Sequence, residues 1–308
     1  MIIFSSHFAK ALCLLAHVPL LTASVVFCAS VRAGVLDQVR ATHVISIAHR
    51  DASLPFSYLD ADKKPVGYAV DICLRVAEAV KHELGLTALS VKWVQVTSAS
   101  RIPTIVEGKA AMECGSTTNT AARRKQVDFT IQHFIAASRF LVRVDSGIDN
   151  ISGLENKTVV STTGTTNLPT LRRLDREQDL HMKILEAKDH NEAFEMVVDK
   201  KADAFAMDDV LLYGLRANAK NPKLYKVIGK PMTIEPYAIM LPKDDPAFKA
   251  VVDRELRRLI SSGEIYTLYQ RWFEQPIPPH GVNMELPMPN LLRDALRYPS
   301  DKVGDLTD

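Results

Sequence analysis

The chain alternates short apolar runs with amphipathic stretches, and the order of these segments repeats. Residues 43–49 place Val44, Ile45 and Ile47 among polar positions and predict a strand. A polar loop from Arg50 to Tyr58 follows. After Gly67 the apolar period lengthens: Cys73, Val76, Ala77, Val80 and Leu84 share one face of a predicted helix, with Asp71 near its start and Gly85 as its stop. Residues 91–96 form the next strand, which empties into Thr97-Ser98-Ala99-Ser100-Arg101. A short helix runs to Gly108, and residues 110–114 are a third strand. This order of strands, loops and helices predicts a parallel sheet with ligand loops at the strand C-termini.

The same order restarts near Ile151. Residues 158–161 are a strand, Thr162 to Thr166 its loop, and Pro169 lies in the first turn of the next helix, where its missing N–H costs nothing. Residues 182–187 and 204–207 are further strands. Asp189-His190-Asn191 opens a helix between them, and Asp208-Asp209 follows the last. Two extended apolar runs, 136–144 and 234–241, flank this second unit and read as crossings between lobes. The chain then returns to the first unit for a helix at 247–261 and a last helix holding Trp272 and Phe273. The expectation is an α/β protein divided into residues 34–142, 143–236, a return at 237–275, and a tail at 276–308 that wraps the surface or frays.

Residues 1–33 stand outside this pattern. Lys10 precedes an apolar run from 11 to 29, and Val31-Arg32-Ala33 ends it. That composition predicts an export signal with a small residue at the cut. The rival is a retained anchor, but His17 and Pro19 interrupt a run that barely reaches the ~20 residues a span needs. Cys28 follows Phe27, where a lipidation site takes a small residue. The leader holds Lys10 and Arg32 and no acid. Its removal leaves 275 of 308 residues, and the 38 basic residues fall to 36, equal to the 36 acids. A neutral mature chain argues against a nucleic-acid or membrane-surface binder. Its length suits two modest lobes.

Cys73 and Cys114 remain after processing. In an exported protein they are candidates for a disulfide, with two small buried side chains as the alternative. There is no CxxC and no His–Cys cluster at ligand spacing, so neither a metal nor a cofactor is expected.

The densest chemistry lies in Glu113-Cys114-Gly115-Ser116-Thr117-Thr118-Asn119 with Arg123. Hydroxyls, turn N–H groups and a planar guanidinium together suit a carboxylate. Arg50 and Arg101 occupy similar loops after predicted strands. Three arginines at strand ends predict a ligand with two carboxylates.

These stretches resemble the periplasmic solute-binding proteins for polar amino acids that serve ABC transporters, and most of all the glutamate/aspartate-binding proteins. The likeness is carried by His49-Arg50 with Pro55-Phe56-Ser57-Tyr58, Val66-Gly67-Tyr68, Thr97-Ser98 with Arg101-Ile102-Pro103, and Glu113 to Asn119 with Arg123. It continues in Thr162 to Thr166, Ala187-Lys188-Asp189-His190, Met207-Asp208-Asp209, and Trp272-Phe273 with Pro276-Ile277-Pro278-Pro279. It implies two lobes joined by two hinge strands, with a ligand cleft between them. Lys200-Lys201, where a turn glycine is frequent, and His133, where a small polar residue is frequent, depart from the pattern outside the ligand loops.

An acidic amino acid needs partners for three charged groups. Arg123 is the candidate for the α-carboxylate, with Thr118 beside it. The resemblance supports this role, against a solvated arginine like neighbouring Arg124. Asp208 is the candidate for the α-ammonium, helped by Ser116 or a loop carbonyl. The alternative is a helix cap, which Asp209 could supply instead. Arg50, Arg101 and Ser98 would meet the side-chain carboxylate, against the ordinary solvated loop arginine. Thr162 and Thr165 lie before a helix start and either bind an anion or cap the helix. His190 is either a donor to the ligand or an exposed helix-start residue.

The leading expectation is a non-enzymatic, monomeric periplasmic receptor that hands L-glutamate or L-aspartate to an inner-membrane ABC permease. The rivals are a dehydratase-like enzyme on this scaffold, with Glu113 and His190 as acid and base, and a ligand-sensing module.

Overall fold

The computed structural model describes Ile2 and residues 33–302. The expected export signal lies outside the described residues. None of the described helices is long and apolar enough to cross a membrane.

The strands, in chain order, are β1 (Val44–His49), β2 (Ala52–Ser53), β3 (Ser57–Leu59), β4 (Pro65–Val66), β5 (Ser90–Gln95), β6 (Met112–Cys114) and β7 (Val127–Phe129). They continue with β8 (Phe134–Arg143), β9 (Thr158–Thr162), β10 (Lys183–Ala187), β11 (Ala204–Asp208), β12 (Tyr225–Ile228), β13 (Ile234–Tyr237) and β14 (Met240–Pro242). Two sheets organise them. The first has the order β5-β1-β6-β14-β7, and the second β10-β9-β11-β8-β12, with β13 also paired to β8. In the first sheet β1 runs parallel to β5 and β6, while β14 returns antiparallel to β6 and β7. In the second, β9 runs parallel to β10 and β11. The parallel cores match the repeated order read from the sequence. Both place strand C-termini, and the loops that follow, at the junction of the sheets.

The chain crosses between sheets twice, entering β8 and leaving β13. These two segments pair antiparallel, with Phe134 opposite Tyr237 and Ala137 opposite Ile234. Their roots are held in an aromatic cluster. Phe56 meets Phe134 at 4.8 Å and Tyr237 at 5.1 Å between ring centroids, and Phe273 meets Phe134 at 5.1 Å. Aromatic pairs at such distances add cohesion beyond area burial, so the crossings start from a rigid base.

The helix Tyr68–Glu83 buries the face predicted for it, except that Leu84 is its half-buried cap rather than core. Its Cys73 is bonded to Cys114 at the end of β6. The link ties the helix to the strand that carries the Glu113–Asn119 segment.

Several elements were not apparent in the pattern. Residues 52–66, of which those up to Tyr58 read as loop, contain a small sheet in the order β2-β3-β4. The tail forms a helix at Asn290–Arg297, burying Leu292 and Leu296, and the Tyr58 hydroxyl donates to the Pro278 carbonyl at 2.7 Å. Through residue 302 the tail is therefore packed against the first unit.

Candidate functional site

Arg50 immediately follows β1 and is 1% exposed. Its Nη2 donates to Ser98 Oγ at 2.7 Å and lies 3.4 Å from His190 Nε2. Its Nε and Nη1 are buried with no partner. Arg101 opens the helix Arg101–Val106. It reaches the Ser116 carbonyl at 3.5 Å and the Gly164 carbonyl at 3.3 Å, and its Nε has no partner. Arg123 donates to the carbonyls of Thr118 at 2.8 Å and Gly164 at 3.3 Å. Arg123 as a residue is half-buried, and its guanidinium is held by those carbonyls. Burial, and next the charge of Arg101, push Arg50 down to about 10 and Arg123 down to about 9. Burial also lowers Arg101. Arg50 and Arg123 stay cationic at neutral pH. Buried guanidinium N–H groups without partners carry a desolvation cost that an incoming carboxylate relieves.

Ser116 Oγ contacts Ser53 Oγ at 3.4 Å, and Thr118 bridges to Tyr237 at the root of β13. The Thr117 carbonyl accepts from Ala238 N–H at 3.1 Å, so the hydroxyl-rich segment is pinned to the second crossing.

The second sheet supplies the opposite wall. Thr162 ends β9, and its hydroxyl lies 2.9 Å from His190 Nδ1. Arginine only donates, so Nε2 of His190 is the acceptor and its Nδ1–H donates to Thr162. His190 is buried, not exposed. Burial, then Arg50 and Arg101, hold it well below the usual histidine range, as a neutral imidazole. Asp189 caps this helix by accepting from Glu192 N–H at 2.8 Å. Thr165 donates to the Thr162 carbonyl at 2.7 Å and shapes the loop. The following helix, Asn167–Gln178, has Thr166 at its N-cap without a side-chain capping bond.

Asp208 occupies the N-cap position of the helix Asp209–Asn218, yet its side chain makes no capping bond. It accepts instead from Asn167 Nδ2 at 2.8 Å and from the Tyr237 hydroxyl. Asp209 takes the backbone N–H groups of Ala137 and Val210 at 3.1 and 2.7 Å. Burial, and next Glu235, push Asp208 up to about 7.

A model of the bacterial extracellular solute-binding proteins, family 3, matches residues 45–275. The chain belongs to this family. Among curated relatives of this solute-binding protein, an L-glutamate/L-aspartate-binding protein of Pseudomonas aeruginosa is 44% identical over 88% of this chain and 90% of its own length. A glutamate/aspartate import solute-binding protein of Escherichia coli is 40% identical over 87% of this chain and 89% of its own. Among solved structures, an ancestral arginine-binding protein bound to arginine aligns with TM-score 0.68 at 22% identity, covering 75% of this chain and 98% of that one. A cysteine-binding protein of Campylobacter jejuni aligns with TM-score 0.67 at 24% identity, covering 78% and 93%. At these identities the structures speak for the two-lobe α/β fold alone.

In this solute-binding protein the residues singled out from the sequence converge on one cleft: Arg50, Ser98, Arg101, Ser116, Thr118 and Arg123 from the first unit, and Thr162, His190 and Asp208 from the second. Thr165 sits behind them in its loop. Sequence reasoning missed two groups. Glu235 on β13 is 1% exposed and accepts from Thr166 at 2.8 Å and Thr233 at 2.5 Å. Nothing in its Thr-Ile-Glu-Pro context marks it. Gly164 has φ of 79°, and a Cβ there would stand 2.7 Å from the backbone of Ala99. Its place amid threonines at a strand end was the available signal for such a close approach.

Proposed function

We propose that this protein captures L-glutamate or L-aspartate in the periplasm and delivers it, as a closed monomer, to an inner-membrane ABC permease. The observation that carries this reading is the division of charge in the cleft. Three guanidinium groups, two of them (Arg50 and Arg101) with unpartnered N–H donors, stand opposite a buried carboxylate, Asp208. Arg123 and Thr118 would hold the α-carboxylate. Arg50, Arg101 and Ser98 would hold the side-chain carboxylate, and Asp208, with Ser116, the α-ammonium. Thr162 and His190 would close over the ligand, with Thr165 supporting them. The names of the curated relatives support the same ligands, and support a binding protein over the enzyme alternative.

The lobes in this reading are 34–142 with 237–275, and 143–236, with the tail at 276–308. Residues 1–33 are removed on export. Calorimetric titration of ligand-stripped protein with glutamate, aspartate, glutamine and asparagine tests the proposal. Binding of the two acids, with the amides at least about a hundredfold weaker, is expected, because an amide leaves a buried guanidinium unpaired. Equal binding of glutamine would overturn it.

A further inference from the structure

Glu113 lies on β6, opposite Ala48 of β1, and is fully buried on the arginine side of the cleft. Thr117 holds one of its oxygens, with the hydroxyl donating to Oε2 at 2.6 Å. The other oxygen, Oε1, is buried without a partner. Gly115 separates it from Arg50: a Cβ on Gly115 would stand 2.5 Å from Glu113 Oε1 and 2.9 Å from Arg50 Cγ. The carboxylate thus lies close to the Arg50 stem, and its charge acts on Arg50, Arg101 and Arg123. Among the described residues it makes no ion pair with any of them.

An acid paired directly with Arg50 or Arg101 would occupy the N–H donors a ligand needs. An acid absent from this wall would leave three positive charges facing two carboxylates. Held by Thr117, Glu113 does neither: it offsets charge without taking donors. Asp208 and Glu235 also act on Arg101 and Arg123, and on Arg123 more strongly than Glu113, but Glu113 is the leading acid at Arg50 and Arg101, where the unmet donors are.

We propose that Glu113 is a specificity-setting counter-charge, which tunes the arginine wall to ligands with two singly charged carboxylates and against ligands of higher charge. This rests on the acidic amino-acid reading above. The test compares glutamate with its analogue 2-amino-4-phosphonobutyrate, whose phosphonate adds a second negative charge, at pH 8 in wild type and Glu113→Gln. Glutamine keeps the shape and an acceptor for Thr117. The ratio of phosphonate to glutamate affinity is expected to rise at least about tenfold in the variant, since a unit charge removed at close range in a low-dielectric site is worth that much. Loss of packing alone would weaken both ligands and leave the ratio where it was.

Thr117→Val keeps the charge but frees the carboxylate to turn onto the arginines. It is expected to weaken glutamate binding with the ratio unchanged, and it decides the matter should Glu113→Gln fail to fold. A wild-type protein that binds glutamate, with a ratio unmoved by Glu113→Gln or an affinity unmoved by Thr117→Val, overturns the counter-charge. A wild-type protein that binds neither ligand overturns the acidic amino-acid reading instead.

Discussion

The two walls of the cleft are built on opposite plans. On the first, Arg50 and Arg101 are buried with N–H donors left without partners. On the second, Thr162, His190, Asn167 and Asp208 are hydrogen-bonded to one another or to their neighbours. A wall with unmet donors gains most when an anion enters. A satisfied wall is preorganised and loses little freedom on binding. Under the proposed function, the difference assigns charge recognition to the first unit, and shape and closure to the second. In that reading, contacts from both sides would give a ligand the differential affinity needed to favour the closed state.

Breaking the first wall should do the most damage. Arg50→Met removes a guanidinium from a site that would bury the ligand's side-chain carboxylate, and about 3–5 kcal/mol of binding should be lost. Calorimetry with glutamate reads this directly, and a loss below tenfold would mean that Arg50 is not in contact with the ligand. Asp208→Asn tests the second wall. It should cost about 2–3 kcal/mol of glutamate affinity, the scale of a charged hydrogen bond.

The same residue predicts a pH dependence. With Asp208 raised from 3.8 to about 7, the native protein keeps a proton that the unfolded chain has released. Stability from this group is therefore full below pH about 4 and declines as pH rises through about 7. An ammonium favours the ionised carboxylate, so glutamate affinity should rise with pH across that window, with proton release. Asp208→Asn should flatten both trends, as measured in buffers of different ionisation enthalpy.

Closure is addressed by Gly164→Ala. The added methyl meets the backbone of Ala99 and sits at a positive φ, so closure should cost about 1–3 kcal/mol. Affinity should fall for every ligand equally, and small-angle scattering should show a more open liganded form. Thr165→Ala is expected to have the smallest effect, under about 1 kcal/mol, because its hydroxyl serves the Thr162 carbonyl. A larger loss would move Thr165 into the ligand shell and blur the contrast between the walls.

Much of this site was legible beforehand for a simple reason. Arg50, Arg101, Arg123, Thr162 and Asp208 each follow or end a strand whose periodicity is local, and parallel α/β sheets present strand C-termini to ligands. The hidden residues lack that signature. Glu113 reads as part of the densest polar segment, but nothing local marks its place behind the arginines. Glu235 sits in a crossing, and Gly164 looks like an ordinary turn glycine.

His190 shows the limit most clearly. Its helix-start position suited exposure or ligand contact equally, and burial against Arg50, 140 residues away, settled it as a buried neutral imidazole. The order of strands and helices, the parallel cores and the three strand-end arginines follow from local periodicity and side-chain chemistry, which any single stretch of chain carries. Which donors remain unmet, which acid stands behind the arginines and which glycine touches the facing lobe depend on contacts such as Arg101 with Gly164 and Asn167 with Asp208, separated by 63 and 41 residues. Packing across those separations sets direction and distance, and the strength of a buried charge follows from both.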